Sequence, residues 1–152
     1  MANDANDELF GGDNLIEFDL HYSVDKNKGG ISHVKILNDD EAAKLKADTA
    51  TKDSVKTLRT GWIQMTWQAA NELLRRSMTF NFQTNQNDID FTMYRDARLK
   101  ASLIQWDAKD KTGAPVPCNE HSINKLHANV AMALLDKYDK LTSVEKDEQQ
   151  KN

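Results

Sequence analysis

The sequence predicts a mixed α+β fold in which an N-terminal β-hairpin packs against three to four helices between disordered termini. Three observations predict it: an early segment alternates apolar and polar residues, later segments repeat apolar residues every three or four positions, and both ends are polar. The length of 152 residues fits one domain with a modest core. We predict a disordered arm over 1–13, a single domain over 14–141 and a flexible tail over 142–152.

The first predicted element is the clearest local signal. In residues 15–24, LIEFDLHYSV, apolar side chains alternate with polar ones, which is typical of a strand with one face on a core. The next residues, DKNKGG, supply Asn27 and two glycines for positive backbone angles, and ISHVKIL offers a second strand. Because a two-stranded hairpin is not stable alone in water, we expect a helix to cover its apolar face.

The middle of the chain is more ambiguous. Asn38 is the predicted N-cap of a short helix, DDEAAKLKAD, whose acidic start and basic end suit the helix dipole. Over 54–79, apolar residues at helical spacing favour one long helix. Gly61 and the segment GWIQM instead favour a strand over 61–65, followed by a helix that Thr66 caps. We predict mostly helix.

The next segment, FNFQTNQNDID over 80–90, predicts an exposed connection between helices. Asp90 is the predicted N-cap of a central helix that runs from about Phe91 to Trp106. Leu99 and Leu103 widen the apolar stripe of that helix, whose main face carries Phe91, Tyr94, Ala97, Ala101 and Ile104.

Turn residues separate that helix from the last one. In DAKDKTGAPVP, Gly113 permits a left-handed backbone, and Pro115 and Pro117 forbid helix. Asn119 is the predicted N-cap of a closing amphipathic helix. Its core face is formed by Ile123, Leu126, Val130, Leu134 and Tyr138.

Charge and composition exclude several classes of protein. The net charge is -4 and the basic residues are spread along the chain, which disfavours binding of nucleic acid or of a membrane surface. The N-terminal residues lack the pattern of a signal peptide, and no apolar run approaches the ~20 residues needed to cross a bilayer. The single cysteine, Cys118, suits a reducing cytoplasm. We expect a soluble intracellular protein.

Residues with reactive side chains do not form a recognisable catalytic or metal pattern. Cys118, His121 and His127 invite a zinc site, but His121 and His127 lie on different faces of the predicted helix. His21 and His33 could instead meet across the polar side of the hairpin. We expect solvated histidines, with no metal and no cofactor. The paired acids suit capping and turns, and neither a nucleophile motif nor a phosphate-binding loop is present, so we expect no enzyme.

Five large apolar residues stand in an otherwise polar region. They are Trp62, Trp67, Met78, Phe80 and Phe82. Burial in the core is the favoured interpretation of each. If they are exposed, they form a patch of the kind that marks protein partners, and aromatic and methionine side chains suit adaptable binding. This patch is the candidate partner-binding site.

The stretch from Tyr94 to Tyr138 resembles the C-terminal signature of tail assembly chaperones of tailed bacteriophages. In that family an aliphatic pair and Trp-Asp precede a turn with an acid and a glycine, followed by Pro-aliphatic-Pro and an amphipathic helix. The matching residues here are Leu103, Ile104, Trp106, Asp107, Asp110, Gly113, Pro115, Pro117, Ile123, Leu126 and Leu134. Two positions depart from the pattern: His127 stands in place of a frequent proline, and Gln64 in place of a frequent arginine.

The resemblance implies a binding protein without catalysis, in the cytoplasm of the infected host. Its implied partners are the tape measure protein and tail-tube subunits, and such chaperones commonly self-associate. Within the matching block we expect Trp106, Asp107, Gly113, Pro115 and Pro117 to be structural. The alternative is a small structural subunit of the tail or baseplate that is retained in the virion, and a nucleic-acid-binding regulator is a third class.

Overall fold

The computed structural model describes residues 15–143, so the predicted arm 1–13 and residues 144–152 of the predicted tail lie outside the described residues. Within this range the fold is mixed α+β, as predicted. The elements in chain order are β1 (Leu15–Lys26), β2 (Ser32–Leu37), α1 (Asp39–Ala47), a 3-10 turn (Lys52–Ser54), β3 (Lys56–Ile63), α2 (Trp67–Arg76), β4 (Met78–Asn81), β5 (Gln86–Ile89), α3 (Phe91–Ser102), β6 (Leu103–Trp106), α4 (Glu120–Ile123) and α5 (Ala128–Thr142).

The strands form two sheets. One has four strands in the order β2-β1-β3-β6, and the other consists of β4 and β5. The predicted N-terminal hairpin is therefore present, but as part of a larger sheet. The described chain divides into two compact units, the first comprising residues 15–16 and 61–105 and the second comprising residues 17–60 and 106–143.

In the second unit, β1 and β2 pair antiparallel with Val24 opposite Val34. The connecting turn differs from the prediction, because only Gly30 takes a positive φ there, +79°. Asn27 acts through its side chain instead. Its Oδ1 accepts hydrogen bonds from the backbone N–H groups two and four positions further on, at 2.9 and 3.0 Å.

Helix α5 covers part of this hairpin, as the sequence predicted for a helix. The Asn129 amide donates to the Val34 carbonyl (2.6 Å), and the Lys137 ammonium donates to the Asp19 carbonyl (2.5 Å). These bonds satisfy strand carbonyls that would otherwise face water. The buried apolar side chains of the second unit are Phe18, Leu20, Leu37, Ala42, Leu58, Ile123, Val130, Leu134, Leu135 and Tyr138.

The predicted helix N-caps Asn38, Asp90 and Asn119 are confirmed. The side chain of each accepts a hydrogen bond from a backbone N–H two or three positions on, at 2.7, 3.0 and 3.0 Å respectively. Thr66, the cap in the alternative interpretation of residues 54–79, accepts from the Ala69 N–H at 3.2 Å. Helix starts were thus encoded by local sequence.

The favoured long helix over 54–79 is wrong. Residues 56–63 form β3, and the alternative of a strand followed by a helix from 67 describes the region better. Leu58, Thr60 and Trp62 are buried at period two. The buried Thr60 hydroxyl donates to the Phe18 carbonyl (3.0 Å), so a polar residue occupies a core position of the strand. Because Thr60 is polar, the alternation along β3 does not show as apolar periodicity in the sequence.

The segment over 80–90 is an exposed connection between two helices, as predicted, but it is not the loop that its composition indicates. Most of it belongs to the hairpin of β4 and β5, which pair antiparallel with Phe80 opposite Asn87. Asn85 takes the left-handed φ of 56° that a tight turn needs, a role that Asn fills without glycine. The composition of residues 80–90 indicates a loop because most of the strand residues within this segment are polar.

The predicted central helix ends four residues early, at Ser102, and residues 103–106 form β6. Its predicted apolar stripe is confirmed at Leu99 and Leu103, which are buried, and is wrong at Phe91 and Ile104, which are exposed. Ile104 lies on a strand, so helical spacing does not fix its orientation. In the first unit the buried side chains are Trp62, Leu73, Ser77, Leu99, Ser102 and Leu103.

The single closing helix predicted from Asn119 is wrong as well. It is interrupted over residues 124–127 and resumes as α5 at Ala128. Ile123 and Val130 are both buried on either side of the interruption. Apolar periodicity therefore continues across the break and gives no sign of it.

Candidate functional site

The first unit exposes large apolar side chains along its β-hairpin. Met78 stands opposite Ile89 in the antiparallel pair, so the two share a face, and Phe80 lies on that face two positions further along β4. The Phe82 ring packs edge-on against Phe80, with centroids 4.9 Å apart and planes at 80°. Phe91, 76% exposed, begins α3 two residues past Ile89. Together these five side chains are the hairpin surface.

Backbone and side-chain hydrogen bonds hold the hairpin in place. The Asp90 N–H donates to the Ser77 carbonyl (2.7 Å), which joins the end of α2 to the start of α3 at the base of the hairpin. At the tip, Asn81 Oδ1 accepts from the backbone N–H two positions on, at 3.0 Å. This turn leaves Phe82 89% exposed.

The five predicted partner-binding residues separate into three groups. Met78, Phe80 and Phe82 come together on the hairpin surface. Trp62 is fully buried and cannot contact a partner, because it lies on β3 with its side chain turned into the core. Trp67 is 83% exposed but begins α2, about 14 Å by helical rise from the end of α2 that joins the hairpin.

Sequence reasoning missed the other two members of the hairpin surface. Ile89 was placed in a connection, and Phe91 on a buried helix face. The period-two alternation of apolar residues from Met78 to Phe82 is the signal that identifies this strand, and pairing it with the residues after the Asn85 turn would have found Ile89.

The second unit contains a cleft of about 530 Å³. Its lining comes from three places, named here the floor (residues of β1, β2 and β3), the first wall (residues 107–109) and the second wall (residues 125–130). Its apolar lining consists of Leu20, Val34, Leu58, Ala108, Leu126 and Val130. Its polar lining consists of Tyr22, Thr57, Asp107, Lys109, Lys125 and His127. No sequence pattern joined these residues, because they come from distant parts of the chain.

Hydrogen bonds fix the wall over 107–109. Asp107 Oδ1 accepts from the Arg59 N–H (2.8 Å), and the Asp107 N–H donates to the Arg59 carbonyl (3.1 Å). The Trp106 indole donates to the Val116 carbonyl (2.7 Å), which ties the start of the loop to its end.

The remaining predicted structural residues lie in the same loop. Gly113 takes the predicted left-handed backbone, with φ of +83°. Pro115 pairs with Lys109 in an isolated antiparallel bridge, and Pro117 is exposed. Asp110 Oδ1 accepts from the Thr112 N–H at 2.8 Å, which closes the turn. The loop is therefore a stiff wall beside the cleft.

The cleft is lined by more positively charged than negatively charged side chains. Burial raises the pKa of Tyr22, and the nearby Asp107 carboxylate raises it further, so the phenol stays protonated and can donate a hydrogen bond. Lys109 and Lys125 stand exposed in opposite walls. Within residues 15–143 neither ammonium group lies within ion-pair distance of a carboxylate. The cleft thus carries two unpaired cations against one anion.

The histidines do not gather as the zinc interpretation required. His33 lies opposite Asp25, four positions along the strand from His21, which separates the two backbone positions by about 13 Å along the strand. His21 Nδ1 instead contacts the Thr57 hydroxyl at 2.9 Å. Burial raises the pKa of the Cys118 thiol. In residues 15–143 no group of three or more His, Cys, Asp or Glu side chains is arranged to hold a metal ion.

The described helices are all too short or too polar to cross a membrane. Comparison of the chain with protein-family models, with curated proteins and with solved structures finds no match. The resemblance of residues 94–138 to tail assembly chaperones stays a prediction from sequence.

Proposed function

We propose that the protein binds apolar segments of partner proteins and is a tail assembly chaperone of a tailed bacteriophage. The hairpin surface carries the proposal, because it gathers five exposed large apolar side chains on one hairpin and the helix start beside it. Single exposed apolar residues are ordinary on protein surfaces, whereas contiguous groups mark binding sites. Aromatic residues also contribute the largest binding energies at interfaces.

The binding mode follows from the side chains. The strand holds Met78 and Phe80 at fixed spacing, and the paired Phe80 and Phe82 rings are both exposed to a client. Each phenylalanine that a client covers contributes about 1.5–3 kcal/mol. The flexible Met78 thioether adapts to clients of different shape. An amphipathic client helix could lay its apolar stripe on such a surface.

The resemblance of residues 94–138 supplies the identity of the client. We propose the tape measure protein as client, bound in the cytoplasm of the infected host, with tail-tube subunits recruited around it. The chaperone would leave before the virion is complete, and self-association would fit this role. The mechanism is binding without a chemical step.

A co-expression experiment tests the proposal. The full chain is produced with an apolar segment of a tape measure protein, and the soluble fraction of that segment is measured. Phe80→Ser with Phe82→Ser should weaken binding at least tenfold, since two ring contacts worth ~1.5–3 kcal/mol each are removed. Trp67→Ser is the control, because Trp67 is an exposed aromatic residue of the same unit that lies at the far end of α2.

Two outcomes would overturn the proposal. If the double serine variant keeps the client soluble as well as the Trp67→Ser variant does, the hairpin surface is not the client site. If the protein is found in purified virions at a fixed copy number, it is the retained structural subunit of the tail or baseplate. Circular dichroism of each variant confirms that the fold is kept.

A further inference from the structure

The cleft of the second unit has the size and stiffness of a ligand site. Its volume of about 530 Å³ falls within the ~300–1,000 Å³ typical of small-molecule pockets. The wall over 107–109 is fixed by the Asp107 bonds to Arg59 and by the Trp106 bond to Val116. A site that is already formed requires little reorganisation when a ligand binds.

The lining determines the chemistry of the ligand. Leu20, Leu58 and Val130 offer apolar surface to a hydrocarbon body. Lys109 and Lys125 line the cleft, one in each wall, and neither is neutralised by a carboxylate within residues 15–143. An apolar body with an anionic head complements both features.

The charge count favours a monoanion over a dianion. The two lysines contribute two positive charges, and Asp107 contributes one negative charge, so the cleft carries an excess of one. A phosphate with two charges would leave the cleft with a net charge of about -1, whereas a carboxylate would leave it neutral. The protonated Tyr22 phenol supplies a further donor to a carboxylate oxygen.

We propose that this cleft binds a carboxylate carried on an apolar body, either a free aliphatic acid or the C-terminal residue of a peptide. The apolar body lies on the floor of the sheet, and the carboxylate lies between Lys109 and Lys125. The site belongs to the second unit, so the inference does not rest on the chaperone function proposed for the hairpin surface.

The test is a titration of the isotope-labelled full chain with sodium octanoate, followed by amide NMR. Chemical shifts should change first at Leu20, Tyr22 and Val130. Shortening the acid by two carbons should weaken binding by roughly tenfold. Octanamide, which keeps the body and lacks the charge, should bind at least tenfold more weakly.

Lysine variants separate the cleft from general electrostatics. Lys109→Gln with Lys125→Gln should weaken octanoate binding at least tenfold. The control, Lys111→Gln with Lys140→Gln, removes the same charge from exposed lysines that do not line the cleft, and it should bind as the parent does. Equal weakening in both pairs, octanamide binding as tightly as octanoate, or no shift at the cleft up to 10 mM (about the millimolar limit of specific binding) would overturn the inference.

A pair of peptides distinguishes the two sources of the carboxylate. A tripeptide ending in leucine is titrated with a free C-terminus and again with an amidated one. Tighter binding of the free form than of octanoate assigns the site to a chain end. Binding of octanoate without binding of either peptide assigns it to a small acid.

Discussion

Gly61→Ala tests the pairing of β3 with β6 at one atom. Gly61 is buried on β3, and a Cβ built there would lie 2.5 Å from Cγ, 2.8 Å from Nε2 and 2.9 Å from Cδ of Gln105. Carbon atoms in favourable contact are about 3.5–4.0 Å apart, so the Gln105 side chain would have to leave its position.

Two opposing effects determine how Gly61→Ala changes the free energy of unfolding. At a position whose φ is ordinary, alanine stabilises the fold by about 0.4–1 kcal/mol because it restricts the unfolded chain. Forcing a methyl group into filled space costs about 1–3 kcal/mol. We expect Gly61→Ala to lower the free energy of unfolding by about 1 kcal/mol. If residues 54–79 were one helix, the same change would raise it by about 1 kcal/mol, so the sign decides between the two structures.

Gln105→Ala supplies the control, because it removes all three atoms that the new Cβ would meet. In that background Gly61→Ala should be neutral or stabilising, which gives a coupling energy of about 1–2 kcal/mol. Urea unfolding of the parent, the two single variants and the double variant measures it through the midpoints at constant m value. If Gly61→Ala lowers the free energy of unfolding equally in both backgrounds, Gly61 and Gln105 are not in contact as the structure has them.

Three further changes test two buried serines and the cleft residue Tyr22. Ser77→Ala should lower the free energy of unfolding by about 1 kcal/mol in urea, because it removes the 2.8 Å hydrogen bond from Ser77 Oγ to the Leu73 carbonyl. Ser102→Ala should be neutral or stabilising, since its buried Oγ has no hydrogen-bond partner within residues 15–143, and equal losses from the two variants would contradict this difference. Asp107→Asn should lower the raised pKa of Tyr22 only in part, because burial is the larger cause, and ring-carbon NMR across an alkaline titration measures it. Since that folded pKa is raised, the protonated Tyr22 stabilises the fold fully below the unfolded value of about 10, and this stability is lost as the pH rises through the folded pKa.

Local signals in the sequence predicted the parts of the fold that are determined locally. The first strand could be predicted because its apolar residues alternate strictly with polar ones. The caps Asn38, Asp90 and Asn119 were found because a side chain that bonds the backbone two or three positions on needs no tertiary context. The left-handed Gly113 belongs to the same group, since its turn closes within a few residues.

The errors arose where tertiary pairing overrides local pattern. Thr60 is buried because its hydroxyl reaches the Phe18 carbonyl, 42 positions away along the chain, and no local rule predicts that contact. β5 forms from mostly polar residues because it pairs with β4 across the Asn85 turn. The cleft was not predictable for the same reason, since its lining comes from the first three strands, from the loop after β6 and from residues at the start of α5.

The block that resembles tail assembly chaperones and the surface that would bind a client are different parts of the molecule. Trp106, Asp107 and Gly113, the most specific residues of the block, build the loop beside the cleft, where they make internal hydrogen bonds. The residues of the hairpin surface precede the block in the sequence, and none of them belongs to it. In the proposed chaperone, the loop is the framework shared with the family and the hairpin is the part that contacts the client. Client binding and carboxylate binding should then respond to different variants, because additive effects are the rule for residues that share no partners.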